Sequence, residues 1–278
     1  MHNLAQEVQK NVSDALQEDI GNGDVTAFLI PADNQLEVRL LCREPAILCG
    51  KDWFEHAFHL LDENIRINWS VQDGDPLEAN QTVCRFRGHA RAILTAERSA
   101  LNFLQTLSAT ATVTHRYQSL IRETGCRILD TRKTIPNLRL AQKYAVRCGG
   151  GMNHRIGLYD AFLLKENHLS ACGSMSEAVH LARQSHPDLL LEVEVENLVQ
   201  LQQAIDNKVD RVLLDNFNLE MLNRAVTMTN KRLKLEASGD ITLDNILEVA
   251  QTGVDYISIG ALTKHIKAVD FSLRFVDE

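Results

Sequence analysis

LLLEVEVENLVQLQQAIDNKVDRVLLDNFNLEMLNRAVTMTNKRLKLEASGDITLDNILEVAQTGVDYISIG, residues 189–260, decides the fold. Four short apolar runs, Leu189 to Val193, Val212 to Leu214, Leu233 to Glu236 and Tyr256 to Ile259, alternate with helical stretches. They begin about 22 residues apart, the repeat of successive βα units in a parallel barrel. Two more runs, at Ile128 and at Ala161 to Leu164, extend the series upstream. Polar or glycine residues stand where these runs end: residues 130–133, Lys165, Glu194, Asp215, Ser238 with Gly239, and Gly260. A parallel barrel gathers its active site at the carboxyl ends of its strands, because the loops there converge on one mouth. Taken singly, Asp215, Ser238 or Asp240 is better explained as a helix N-cap. Taken jointly, six strand ends point to a site.

The segment 130–168, DTRKTIPNLRLAQKYAVRCGGGMNHRIGLYDAFLLKENH, says what the site binds. Between Thr131 and Lys165 it holds seven Lys or Arg against one acid, Asp160, a local excess of 7 − 1 = +6 in a chain of net charge -8. A cationic segment inside an acidic protein suits a small, strongly anionic ligand, since nucleic-acid binding ordinarily makes a whole domain basic. Arg139, Lys143 and Arg147 follow Pro136 at helical spacing, with Leu138, Ala141, Ala145 and Cys148 opposite, so a solvated helix face accounts for those three as well as a site does. Arg132, Lys133, His154, Arg155 and Lys165 flank that helix or follow apolar runs, in loops where basic side chains do nothing for a core.

With 278 residues, 45% of them hydrophobic, the chain has room for one large α/β domain and a smaller companion. No apolar run approaches the length of a bilayer-spanning helix, and the polar start carries no leader signature, so a soluble, unprocessed protein is expected. Six scattered cysteines without a CxxC pair favour reduced thiols in the cytoplasm. Cys148 and Cys172, near the cationic segment, are expected to be small core residues.

Leu4, Val8, Val12 and Leu16 are spaced for an amphipathic helix over 3–18. The loop after it offers Asp19, Asp24 and Thr26, for which a capped turn at Gly21 and Gly23 is a simpler account than a metal site. Residues 36–92 change to short alternating runs separated by turn clusters, the pattern of a small sheet broken by a helix near 51–61. His56 and His59 in that helix lack the further ligands a metal needs. Residues 95–125 read as helical, with SATATVT, poor in helix formers, marking a bend or domain junction.

Several runs are also familiar. DTRKT (130–134), GGGMNHR (149–155) and LKENH (164–168), with ERSALN (97–102), LEVEV (191–195), LLDNF (213–217), EASG (236–239) and SIGALT (258–263), closely resemble the quinolinate phosphoribosyltransferase family along nearly the whole chain. The resemblance implies an α/β fold: an incomplete parallel (β/α) barrel with an N-terminal α+β open-faced sandwich domain. The domains would be 1–110, joined by a returning C-terminal strand at 269–278, and a barrel at 111–268.

It also implies a glycosyltransferase (pentosyltransferase) that makes nicotinate mononucleotide, pyrophosphate and CO2 from quinolinate and phosphoribosyl pyrophosphate in NAD biosynthesis. Arg132, His154, Arg155 and Lys165 match the family's quinolinate positions, and guanidinium suits bidentate carboxylate recognition. Lys133, Lys165, Glu194 and Asp215 are the catalytic candidates; the two acids would meet positive charge developing on the ribose. Ser238, Gly239 and Gly260 would hold the 5-phosphate on backbone N–H groups, aided by the helix starts that follow. Asp240 stands where many relatives have glycine or an uncharged residue, and is tolerable there only if it turns away to cap the next helix. Mg2+ would come chiefly on the pyrophosphate, and no organic cofactor is expected, since the alkylated pyridine is its own electron sink. Arg98 of the ERSALN run would reach the site of a neighbouring subunit, making a homodimer whose sites are completed across the interface. No nucleic acid or membrane partner is expected. Three alternatives stay open: transfer to nicotinate without decarboxylation, a Schiff-base aldolase using Lys133 or Lys165, and a non-catalytic phosphate-binding module.

Overall fold

The computed structural model describes residues 4–276, which fall into two compact units. The first comprises residues 4–115, 134–150 and 262–276 of that span, and the second 116–133 and 151–261. In chain order the first begins with α1 (Leu4–Ile20), β1 (Gln35–Cys42), β2 (Ala46–Ile47), α2 (Lys51–His59), β3 (Arg66–Trp69), β4 (Pro76–Leu77) and β5 (Gln81–His89). Then α3 (Ala90–Leu120) crosses into the second unit, which holds β6 (Arg127–Leu129). After α4 (Arg139–Cys148) of the first unit come β7 (Phe162–Leu164), α5 (Glu166–Cys172), α6 (Met175–Ser185), β8 (Leu191–Val195), α7 (Leu198–Asp206), β9 (Arg211–Asp215), α8 (Leu219–Thr229), β10 (Lys234–Ser238), α9 (Ile246–Gln251) and β11 (Tyr256–Ser258). The short α10 (Ala261–Lys264) and β12 (Phe271–Phe275) close the chain.

In the first unit an antiparallel sheet runs β12-β1-β5-β3. From Cys84 onward β5 alternates: Cys84, Phe86 and Gly88 are buried while Arg85, Arg87 and His89 are exposed, so one face is apolar. That face packs on α2, whose Phe54 and Phe58 meet the Phe86 ring at 6.1 and 4.8 Å between centroids. β12 pairs antiparallel with β1, Phe271 opposite Cys42 and Phe275 opposite Val38. Asp24 accepts from the N–H groups of Thr26 and Ala27 and from the Thr95 hydroxyl, which makes it the anchor of a turn.

By contacts, α4 packs with the first unit, burying Ala141 and Ala145 in its core. Of the solvated helix face suggested by Arg139, Lys143 and Arg147, Arg147 is exposed and Arg139 partly so, but Lys143 is not. Lys143 is only 2% exposed, and Gln142 is fully buried, accepting from Ile135 N–H and donating to the Thr263 carbonyl. Helical spacing identified the apolar face but gave no sign that the polar one would be covered too. α3 runs unbroken through SATATVT, where the Thr112 and Thr114 hydroxyls bond the carbonyls four residues back.

The second unit is a six-stranded parallel sheet, β6-β11-β10-β9-β8-β7, with helices between successive strands. β6 and β7 are its two edges, and a parallel bridge joins Leu129 to Met152 beyond β6. The barrel is therefore incomplete. β8, β9 and β10 are buried almost throughout, as strands of a covered parallel sheet are. Among the described residues no helix is long and apolar enough to cross a membrane.

Candidate active site

Strand alternation sets two tiers of side chains on one face of the parallel sheet. Glu192 and Glu194 lie two apart on β8, Arg211 and Asp215 four apart on β9, and Glu236 and Ser238 two apart on β10. Register brings Asp215 opposite Ser238, and Glu192 opposite Arg211. The later residue of each strand lies at its carboxyl end, partly accessible; the earlier one lies inside.

At the carboxyl ends, Lys165 after β7 forms an ion pair with Glu194. Asp215 accepts from Asn216 Nδ2 at 3.0 Å. Its carboxyl is raised above the ordinary range by burial and then by the charge of Glu194, against the pull of Lys165 and Lys133. Those four catalytic candidates are therefore electrostatic neighbours. Arg155 is half-buried, donates to the Ala161 carbonyl, and is held below its usual pKa by burial and by repulsion from Arg132. The two guanidinium groups are thus near enough to repel each other.

The loop that presents Arg155 is built by acids. Asp130, fully buried at the end of β6, accepts from the Asn153 amide at 2.5 Å and from His154 N–H at 2.9 Å. Asp160 accepts from the N–H groups of Ile156 and Gly157.

His154 is not a loop cation. Its ring is 7% exposed and both nitrogens are engaged: Nδ1 accepts from Arg155 N–H at 2.7 Å, and Nε2 lies 2.9 Å from Glu192 Oε2. The same Glu192 oxygen receives Arg211 Nη2 at 2.7 Å, and Glu236 lies 3.4 Å from the ring. Burial pushes the Glu192 carboxyl up, but His154 and Arg211 together hold it below the normal range. Sequence reasoning took Glu194, Asp215 and Ser238 from these strands and missed Glu192, Arg211 and Glu236. The available signal was a charge inside an otherwise apolar strand.

Ser238 and Gly239 follow β10 beside Asn216, whose N–H bonds the Ser238 carbonyl. Gly239 has φ +107°, and a Cβ there would fall 2.0 Å from Asn216 Oδ1. At Gly260 a Cβ would fall 2.9 Å from Lys133 Cδ, so this glycine clears the path of the Lys133 stem. The helix starts after these two loops are distant in one case and short in the other. α9 begins at Ile246, seven residues after Gly239, and α10 has four residues. Asp240 accordingly does not cap α9; it is exposed, at φ +44°, and its carbonyl accepts from Asn245. Arg98 is exposed on α3 in the first unit.

Two groups of His, Cys, Asp or Glu among the described residues come close enough to share an ion. One is His154, Glu192 and Glu236, among which Arg211 already supplies the positive charge. The other is Cys49, Asp73 and Cys148, where Asp73 is occupied by the N–H groups of Gly50 and Lys51 and by the Tyr144 hydroxyl. Neither includes His56 or His59. All six cysteines are free, with Cys148 and Cys172 half-buried rather than in the core.

Comparison with known proteins agrees with this geometry. The family described as quinolinate phosphoribosyl transferase matches through its N-terminal domain at residues 24–108 and its C-terminal domain at 110–274. A probable nicotinate-nucleotide pyrophosphorylase [carboxylating] of Bacillus subtilis is 39% identical, over 96% of this chain and 93% of its own. The nicotinate-nucleotide pyrophosphorylase [carboxylating] of Mycobacterium leprae is 40% identical over 93% and 94%. The solved structure of the nicotinate-nucleotide pyrophosphorylase from Francisella tularensis superposes with a TM-score of 0.95 at 48% identity, covering 98% of this chain and 97% of that one. With both family domains matched in order across an incomplete barrel and its companion sheet, the chain belongs to the quinolinate phosphoribosyltransferase family.

Proposed function

We propose that the chain transfers the phosphoribosyl group of phosphoribosyl pyrophosphate to quinolinate with loss of CO2, giving nicotinate mononucleotide and pyrophosphate for NAD biosynthesis. The observation that carries this reading is the meeting, at one end of one parallel sheet, of Lys133, Lys165, Arg132 and Arg155 with Glu194 and Asp215. Adjacent carboxylates on a pyridine ring need several cations, and a ribose losing pyrophosphate needs anions.

Arg132, Arg155 and Lys165 bind the dicarboxylate, with guanidinium groups supplying paired hydrogen bonds. Glu194 and Asp215 face the ribose and stabilise the positive charge that grows on it as pyrophosphate departs. Lys133 meets the leaving pyrophosphate. Backbone N–H groups at Ser238, Gly239 and Gly260 receive the 5-phosphate, by close approach rather than by a helix dipole. After the pyridine nitrogen is alkylated, the ring accepts the electron pair left by CO2, and the protein orients the ring and excludes water.

Mg2+ fits as a substrate-borne ion. Of the two carboxylates assigned to the ribose, Glu194 is paired with Lys165, so pyrophosphate and water supply most ligands. It would neutralise charge on the leaving group. The aldolase alternative is disfavoured by the setting of Lys165, exposed and ion-paired rather than desolvated.

The active species is a homodimer in which Arg98 of each subunit enters the other's site. Exposed Val25, Phe28 and Leu29, at 83%, 75% and 84%, support a covered apolar face in the first unit. The free thiols suit a reducing cytoplasm, and the acidic chain suits neither nucleic acid nor a membrane surface.

Substrate choice tests the reading. Specificity constants for quinolinate and nicotinate are compared with phosphoribosyl pyrophosphate and Mg2+ present; quinolinate is strongly preferred. Equal constants for the two acids would mean that the cation cluster does not read the second carboxylate.

A further inference from the structure

We propose that Glu192, Arg211 and Glu236 are positioning residues for the dicarboxylate: they lock the His154 ring from inside the barrel, and the ring in turn holds the backbone of Arg155. This rests on the reading that Arg155 binds quinolinate.

The contacts form one chain. Arg211 Nη2 reaches Glu192 Oε2 at 2.7 Å, Glu192 Oε2 receives His154 Nε2 at 2.9 Å, and His154 Nδ1 receives Arg155 N–H at 2.7 Å. Arg211 Nη2 and His154 Nε2 also approach each other to 3.1 Å, as two donors converging on one acceptor do. Glu236 closes the cluster, 3.4 Å from the imidazole and 3.5 Å from Arg211 Nε. Glu192 and Glu236 are fully buried and Arg211 is 9% exposed.

Charge decides where the protons are. Two carboxylates and one guanidinium would leave a net negative charge in a place where unbalanced charge is costly. One more proton is needed, on His154 or on Glu236. His154 Nδ1 accepts the Arg155 N–H, which leaves Nε2 as the ring position that donates toward Glu192. The balancing proton is therefore assigned to Glu236, which lies against both the imidazole and the guanidinium. Burial and the neighbouring charge of Glu192 push Glu236 the same way, toward the neutral acid.

Such a floor fixes one histidine tautomer and, through it, the direction in which Arg155 enters the mouth. Two measurements test it on the full-length chain. In the first, 15N NMR of histidine-labelled wild-type protein, with His154 assigned through His154→Gln, is expected to show Nδ1 bare and Nε2 protonated. In the second, Glu192→Gln is expected to raise the KM for quinolinate about tenfold or more, the loss typical when a charge-assisted hydrogen bond becomes neutral. The KM for phosphoribosyl pyrophosphate and kcat should stay within about threefold, as for a group acting on one substrate's binding. Arg211→Met should copy this pattern and Arg211→Lys recover part of it. A proton on Nδ1 overturns the proposal, as does a folded Glu192→Gln protein whose quinolinate KM is unchanged or whose two KM values rise alike. If Glu192→Gln does not fold, the tautomer and the Arg211→Lys comparison still decide. A wild-type chain with no quinolinate turnover would refute the functional reading instead, and the NMR result would still test the floor.

Discussion

Gly239→Ala should weaken binding of phosphoribosyl pyrophosphate while leaving quinolinate binding nearly intact. The new Cβ would lie 2.0 Å from Asn216 Oδ1, 2.8 Å from its Cγ and 3.1 Å from its Cα. Rotating the Asn216 amide away relieves the first two contacts but breaks its 3.0 Å hydrogen bond to Asp215. The third contact is with backbone and can ease by only a few tenths of an ångström. Gly239 also has φ +107°, where an alanine is strained by about 1–3 kcal/mol. Overpacking adds about 1–3 kcal/mol. The loop escapes both by moving its N–H groups off the phosphate, so the lower end of the combined cost, about 2 kcal/mol, already raises the KM for phosphoribosyl pyrophosphate about thirtyfold. Steady-state kinetics with each substrate varied in turn is the assay. Adding Asn216→Ala should recover only the part due to crowding, since the backbone strain remains. An unchanged KM for phosphoribosyl pyrophosphate, or an equal rise for both substrates, would refute the assignment of this loop to the phosphate.

Arg155→Ala should raise the quinolinate KM by roughly 10- to 100-fold, the worth of a charge-assisted hydrogen-bonded pair, whereas Glu194→Ala or Asp215→Ala should lower kcat by about 100-fold or more; unchanged turnover in both acid variants would remove their electrostatic role. Asp215 acts as an anion, so activity is retained above its raised pKa and lost as pH falls through it; the acid limb of kcat/KM lies above the ordinary carboxylate range, and Glu194→Gln, which removes one cause of the rise, moves that limb to lower pH. Asp130→Ala removes the acceptor shared by the part-buried Asn153 Nδ2 and the buried His154 N–H, and should cost about 1–3 kcal/mol in denaturant unfolding, with a near-wild-type midpoint contradicting its anchoring role. Arg98→Ala and Lys165→Ala should each be nearly inactive alone, yet a freely exchanging mixture should recover about a quarter of wild-type activity, because half the dimers are mixed and half of their sites are whole. No recovery after demonstrated exchange would remove Arg98 from the partner's site.

The barrel was legible because βα units repeat: strands expected at 189–193, 212–214, 233–236 and 256–259 appear at 191–195, 211–215, 234–238 and 256–258. The mouth was legible for the same reason, since strand direction alone brings Lys165, Glu194, Asp215 and Ser238 to one end. What lay beneath was not. Glu192, Arg211 and Glu236 read as single charges in apolar runs, and only strand register makes them partners. His154 sits among Lys and Arg in the sequence but among carboxylates in space. Lys143 and Gln142 had the spacing of a surface, and helical periodicity does not report what covers a polar face. A capping role for Asp240 needs α9 to start at once, whereas it starts at Ile246, and helix starts are the least constrained feature of a pattern.

The most direct measurement of the central claim follows quinolinate labelled with 13C in its 2-carboxylate, incubated with the full-length chain, phosphoribosyl pyrophosphate and Mg2+. The account predicts labelled CO2, nicotinate mononucleotide and pyrophosphate in equal amounts, with no label left in the nucleotide. A nucleotide that keeps the labelled carboxylate, or consumption of phosphoribosyl pyrophosphate without CO2, would contradict it.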